Sequence, residues 1–356
     1  MPRHLPHPRP RTRPTGTART TALALGAAAL TLLTGALGPA ALAAGPAAGP
    51  AASAPLTRDT ARISTAYVLP GDRVYPEGIA ADPRSGALYV SSFTTGAVYT
   101  VTPGRRTAEV FLPAGTDGRT TAGGLKVDRA GRLWVVSQDG LSVYDTGSRT
   151  LLARLDPPKP GAWLNDVALA PDGTAYVTDS RLDLVYRVTP GDLRRATENG
   201  GTAALRTGYD LAAALPGHPA GSFALNGIAV DPAGRYVLTV DMTSGKLYRL
   251  DPASGGVEEV ALRGADLVDG DGLELRHGTL WAAHNRSDSI TRWHLSGDGR
   301  GARLERRVTD TALQTPTTLV RSQGRILVVR SQFDKGGPMG PGTPDGPFTV
   351  AAVDGV

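Results

Sequence analysis

A sixfold internal repeat limits what this chain can fold into more than any other feature. Aligned on one large aliphatic residue, the copies fall at Ile79, Leu125, Val167, Ile228, Leu273 and Leu319, with steps of 46, 42, 61, 45 and 46 residues. Each copy runs from a polar or small residue through a short apolar stretch to an Asp/Gly turn and a second strand rich in Val, Tyr and Trp. In the first copy these parts are Tyr75–Pro83 and Ala87–Ser91. A period in the mid-forties, cut by Pro-Asp-Gly and Ser-Gly turns, suits a four-stranded propeller blade. The expectation is an all-β fold, a six-bladed β-propeller with four-stranded blades. A β-sandwich of irregular strands gives no reason for six copies in phase.

The ends of the repeat array predict how the ring closes. The sixth copy, around Thr317–Arg321, supplies strands at Arg325–Val329 and Phe348–Val353 and then runs out of sequence, while Ala61–Leu69 reads as a lone strand before the first copy. Pairing these completes the last blade with the N-terminal strand and removes an exposed sheet edge. The long third step holds residues 192–222, expected to form a rim insertion or lid with a short helix near Tyr209–Leu215; Gly336–Pro347 is expected to be an irregular loop.

The first 43 residues are read apart from the fold. Five arginines precede an apolar run from Thr21 to about Leu37, and Ala41-Leu42-Ala43 offers a small-x-small cleavage pattern. Residues 1–43 therefore read as a signal peptide, residues 44–60 as a flexible leader and residues 61–356 as the propeller, which makes the protein secreted. The rival reading, a membrane anchor, is opposed by Gly26, Gly35 and Gly38 and by the shortness of the run. The formal charge of +5 is carried by those five arginines, so the remainder is neutral and gives no argument for a nucleic acid or an anionic membrane as partner. With no cysteine, disulfides, thiolate ligands and a cysteine nucleophile are all excluded.

Inner strands of neighbouring blades line one axis, so equivalent residues of different copies converge at one level. Two places before the aligned aliphatic stand Glu77, Gly123, Asn165, Asn226, Asp271 and Thr317. Four of these carry a carbonyl or carboxylate oxygen and none is cationic, a donor set suited to one hard divalent cation. Asn, Asp and Gly are also ordinary turn residues, but turn chemistry does not call for a Glu in the set.

Pro76-Glu77-Gly78, Asn165-Asp166, Leu225-Asn226-Gly227-Ile228 and Asp271-Gly272-Leu273 occur in the order found in the regucalcin (senescence marker protein), gluconolactonase and strictosidine-synthase-like propellers, which the chain resembles from about Pro70 to Val329. The resemblance implies one metal ion on Glu77, Asn226 and Asp271, with calcium first and zinc, magnesium or manganese as alternatives. It implies Asn165 as a further ligand or substrate contact and Asp271 as the catalytic acceptor of a proton from water. Trp163 stands where sugar-lactone members carry an arginine; an indole suits a more apolar ligand, or simple packing at the rim. His284, past the second strand of the fifth blade, is a candidate acid or base beside the pocket. Asp179 and Asp241 read as turn or inter-blade hydrogen-bonding residues.

The function expected is metal-dependent hydrolysis of a lactone or related ester by a monomer acting on a small molecule. Two alternatives remain. One is elimination on a cyclic ester, as in streptogramin-inactivating propellers, which resemble the chain through Pro-x-Gly-Ile repeats but have seven blades and a histidine base. The other is a non-catalytic binding propeller of the NHL type.

Overall fold

The structure, a computed structural model, describes residues 61–219 and 221–356. The signal peptide and leader expected over residues 1–60 lie outside the described residues. Six sheets surround the axis, each built on a four-stranded antiparallel core, with a parallel fifth strand added at the outer edge of blades 2 and 5. Blade 1 is Pro76–Ala81, Leu88–Ser92, Val98–Val101 and Glu109–Leu112. The inner strands of blades 2 to 6 are Leu125–Val127, Leu164–Leu169, Leu225–Val230, Gly270–Arg276 and Pro316–Ser322. Neighbouring inner strands touch in sequence, and the sixth touches the first, so the ring is closed. The closing strand is Arg62–Val68, antiparallel to Thr349–Asp354 with Ile63 opposite Val353. This is the six-bladed propeller that the repeat predicts, sealed by the N-terminal strand.

Each sheet buries both faces, which is why its strands read as apolar runs more than as clean alternation. Six apolar clusters result, one for each interface between neighbouring blades. Between blades 3 and 4, for example, Tyr176 and Val185 pack with Ile228, Val237 and Tyr248. The recurrent Asp three places after the aligned aliphatic holds the first hairpin turn. Asp128 accepts from the Ala130 and Arg132 amides at 2.9 Å, and Asp82 from the Arg84 amide at 2.8 Å.

The segment 192–222 is built differently from the expected lid. Its helix is Pro190–Glu198, not a turn of helix near 209–215. Thr189 and Asp192 form a reciprocal capping box around Pro190 at the first helical turn, a start signal present in the sequence as Thr-Pro-Gly-Asp. Thr202–Ala204 then joins the outer edge of blade 2 in parallel with Leu151–Asp156, and Arg206–Asp210 is the fourth strand of blade 3 itself. Only the stretch after Leu211 approaches the axial mouth, where Ser222 and Phe223 line the pocket.

The inner strands share one irregularity that sets the geometry of the axis. In five blades the register between the first two strands breaks across the repeat's key dipeptide: Glu77-Gly78, Asn165-Asp166, Asn226-Gly227, Asp271-Gly272 and Thr317-Thr318. A bulge inserts an unpaired residue and re-aims its side chain. The second residue of the dipeptide must be small in most blades, because the next inner strand passes against it. A Cβ on Gly227 would stand 2.1 Å from the Asp271 carbonyl oxygen, and one on Gly78 would stand 2.6 Å from the Gly123 carbonyl oxygen. Gly227→Ala is therefore expected to cost about 2–3 kcal/mol by overpacking, read by chemical denaturation. Gly217→Ala, with nothing within 4 Å of its added Cβ, should leave stability unchanged.

Candidate functional site

The five bulges bring the expected ring together at one end of the axis. Glu77, Asn165, Asn226 and Asp271 all line a single open pocket of about 510 Å³. Glu77, Asn226 and Asp271 are buried, at 6%, 5% and 4% exposure. Thr317 takes a structural part: its Oγ1 donates to the Glu77 carbonyl at 2.8 Å and ties blade 6 to blade 1. Gly123 leaves the space in front of Glu77 open, since a Cβ there would lie 3.5 Å from Glu77 Oε2.

Asn285 belongs to this cluster and was not anticipated from the repeat. It lies just past the second strand of blade 5, outside the aligned ring, and its Nδ2 donates to Asp271 Oδ2 at 2.7 Å. The only sequence signal for it was its place beside His284 at the end of a strand whose partner carries Asp271. On the facing side Asn226 Nδ2 donates to Met242 Sδ at 3.2 Å. With the amide nitrogens so engaged, the carbonyl oxygens of both residues are left over.

Those oxygens supply the test of whether a cation fits. Glu77 Oε2, Asn165 Oδ1, Asn226 Oδ1 and Asn285 Oδ1 are all buried and lack a hydrogen-bond partner. Buried polar atoms are ordinarily satisfied, and an unpaired one costs about 1–3 kcal/mol. Three amide oxygens and one carboxylate oxygen without partners, beside the Asp271 carboxylate, form a donor set that suits a hard cation. Among the described residues no three His, Cys, Asp or Glu side chains converge, so the donor set is mixed carboxylate and amide.

The electrostatics agree with that reading. Burial pushes the Asp271 carboxyl up to about 8; the Asn285 amide opposes this and the nearby Asp166 charge adds to it. Glu77 lies well above the usual carboxylate range, first through burial and then through the charges of Asp271 and Asp166, with Lys126 pulling the other way. Asp166 occupies the bulge place that is glycine in blades 1, 2, 4 and 5, and accepts from the Val167 amide at 2.7 Å, which uses it within the backbone.

Trp163 stands on the pocket wall. Its ring meets Phe223 edge-on at 5.0 Å, and the Arg181 guanidinium lies 4.4 Å from the Trp163 ring centroid and 5.1 Å from that of Phe223. His284 does not line the pocket. Its Nδ1 lies 2.8 Å from the Val268 carbonyl oxygen and its Nε2 2.8 Å from Thr291 Oγ1, so both ring nitrogens are consumed inside blade 5 and the expectation of a free acid or base fails. Asp179 accepts from the Trp163, Arg181 and Leu182 amides and from Tyr186. Asp241 accepts from the Thr243 and Ser244 amides, the Ser244 hydroxyl and His218. Both cap the second hairpin of their blade.

The opposite end of the axis holds a larger cavity, about 600 Å³, yet its charges answer one another. Arg132 pairs with Asp128 at 2.6 Å and Arg276 with Glu274 at 3.1 Å, and none of its lining atoms is buried without a partner. The chemistry therefore points to the smaller pocket.

A closed ring of six blades with an oxygen-lined axial pocket defines the class, and the family match narrows it. The family described as SMP-30/Gluconolactonase/LRE-like region matches residues 75–319, more than half of the chain, and this protein belongs to that family. No relative is found among curated protein sequences. Solved structures with the same fold include a calcium-binding regucalcin from Agrobacterium tumefaciens at 18% identity and a TM-score of 0.54, covering 82% of this chain and 97% of that one. A gluconolactonase from Xanthomonas campestris is 19% identical with a TM-score of 0.56, covering 82% and 89%. Virginiamycin B lyase from Staphylococcus aureus is 12% identical with a TM-score of 0.53, covering 83% and 100%. At these identities the likenesses show the fold alone.

The two raised carboxyls make stability depend on pH with a definite sign. Asp271 rises from an ordinary value of 3.8 to about 8 on folding, so across that window the folded chain holds a proton that the unfolded chain has lost. Its contribution to cation-free stability is lost as pH rises through the window, and a bound cation restores it. Thermal unfolding should show a larger calcium-induced rise in Tm at pH 8 than at pH 5. Asp271→Asn should flatten that difference; equal gains at both pH values would count against the site.

Proposed function

We propose that the protein is a secreted, divalent-cation-dependent hydrolase of a lactone or related ester. The observation that carries this reading is the set of four buried, partnerless oxygens on Glu77, Asn165, Asn226 and Asn285 beside Asp271. Family membership and the gluconolactonase neighbour support ester chemistry, and the regucalcin neighbour supports calcium as the first choice of ion, ahead of zinc, magnesium or manganese. Export rests on the basic, apolar and Ala-x-Ala order of residues 1–43. The mature protein should begin at Ala44 or Gly45, as N-terminal sequencing of the secreted form would show.

Glu77, Asn226 and Asp271 would hold the cation, with Asn165 and Asn285 within the same cluster. A bound divalent cation would polarise the ester carbonyl and offset the charge of the two carboxylates. Asp271 is the proton acceptor. It takes a proton from water as the water oxygen bonds to the carbonyl carbon, and returns it to the ring oxygen as the carbon–oxygen bond breaks. The Asn285 N–H donates to one carboxylate oxygen of Asp271 at 2.7 Å and orients that carboxyl in the pocket. The pocket has room for a small molecule, and among the described residues no histidine lines it.

A chelator should abolish turnover of a lactone panel, and added calcium should restore it. Asp271→Ala should lower kcat by about a thousandfold, within the range of general-base catalysis. Mass spectrometry should find one water added to the product. An isomeric product would indicate elimination, and chelator-resistant turnover would reject the role of the ring.

A further inference from the structure

Aromatic residues make up 5% of the chain, with five phenylalanines in all, yet three of them, Phe93, Phe223 and Phe333, line this one pocket together with Trp163. They stand as two pairs: Phe93 with Phe333 at 5.2 Å, and Trp163 with Phe223 at 5.0 Å. Phe93 follows the second strand of blade 1 and Phe333 the second strand of blade 6; Trp163 and Phe223 precede the inner strands of blades 3 and 4. In a ring of six, blade 1 stands opposite blade 4 and blade 6 opposite blade 3. The two pairs therefore face one another across the mouth, above the oxygens.

Such a wall offers apolar surface in place of hydrogen-bond partners. A sugar hydroxyl there would lose water without gaining a partner, whereas apolar surface gains by leaving water. Met242 and Met339 also line the pocket, and flexible thioethers adapt to apolar groups of varied outline. The charged groups at the rim, Asp269 and Arg286, lie 3.9 Å apart and face each other.

We propose that the natural substrate is an amphiphilic ester, with a compact lactone or ester head on the oxygen ring and an apolar arm, alkyl or aryl, held between the Phe93–Phe333 and Trp163–Phe223 pairs. This rests on the hydrolase reading for the head and on the aromatic wall for the arm. Trp163 and Phe223 then determine specificity from one side and Phe93 and Phe333 from the other.

The test uses γ-lactones that share one head and differ in the arm: γ-butyrolactone, γ-hexalactone, γ-octalactone and γ-decalactone, with glucono-δ-lactone as the polar comparator. Turnover is measured with wild-type protein and calcium, and binding by calorimetry with Asp271→Ala, where hydrolysis does not intervene. The expected result is a fall in KM and Kd of about threefold to fourfold per added methylene over the first several carbons, the equivalent of roughly 0.8 kcal/mol each. In Phe223→Ala or Phe93→Ala, on opposite walls, the gain per methylene should shrink below about twofold, a slope that a general loss of fold would not alter selectively. Hydrolysis with a flat dependence on arm length, or with the sugar lactone preferred, overturns the proposal and leaves the hydrolase reading standing. Binding that strengthens with arm length, with no lactone turned over, supports the apolar clamp and rejects the hydrolase reading. Absence of both overturns the two together.

Discussion

The site depends on how closely six backbones can approach one axis. Five of the six inner strands carry a bulge at the same place, and the neighbouring strand lies so close that there is no room for a side chain at Gly78, Gly124, Gly227 or Gly272. The freed backbone groups are satisfied partly within their blade, as where Gly78 donates to Ser91 Oγ at 2.7 Å, and partly across blades. Gly124 donates to the Asn165 carbonyl at 3.0 Å, and the Thr178 hydroxyl to the Asn226 carbonyl at 2.8 Å. Because the ring residues are held by their main chains from both sides, their side chains have one direction left, toward the axis. Blade packing, blade closure and ligand geometry are thus consequences of one local distortion repeated around a circle.

That geometry is costly on its own terms. It buries Glu77 and Asp271 near each other and near Asp166, and raises all three carboxyls. No arginine enters the cluster, and Lys126, deeper along the inner strand of blade 2, opposes the charge on Glu77 only in part. Two carboxylates that repel, together with amide oxygens that lack donors, form a set whose members share one requirement. A divalent cation meets it for all of them at once, taking up the partnerless acceptor oxygens and offsetting the repulsion between the carboxylates. The polar floor and the aromatic mouth then divide the pocket into a region for charge and a region for surface.

Much of this was legible in the sequence, and the boundary between what was and was not has a physical basis. The repeat exposed the blades because each must bury the same two faces, and the ring residues because the circle brings equivalent places together. Asn285 escaped because it reaches the axis from a hairpin, where no repeat position marks it. The pairing of the aromatic wall escaped because Phe93 and Phe333 follow second strands while Trp163 and Phe223 precede inner strands, so the four lie in loops outside the aligned ring and pair only in the folded molecule. In the segment 192–222, the helix starts at the Thr189–Asp192 capping box, upstream of the expected place near Tyr209–Leu215. Arg206–Asp210 became a strand because the third strand of blade 3, Leu184–Val188, offered an unpaired edge, a tertiary demand that local propensity does not express.

The choice between hydrolysis and elimination turns on where the histidines are. Elimination on a cyclic ester needs a base that removes a proton from carbon, and a histidine would serve best near neutral pH. Among the described residues none lines the pocket. His284 is bound at both nitrogens within blade 5, and His218 lies 2.8 Å from Asp241. His277 lines the cavity at the far end of the axis, and His294 is exposed on blade 5. What the pocket does offer is a carboxyl that burial has raised to about 8, oriented by the Asn285 amide, among acceptors suited to a cation. A carboxylate beside a divalent ion is matched to water, whose proton becomes easier to remove there, and poorly matched to a carbon acid far from the charge. The placement of these side chains therefore favours addition of water over loss of a proton from carbon.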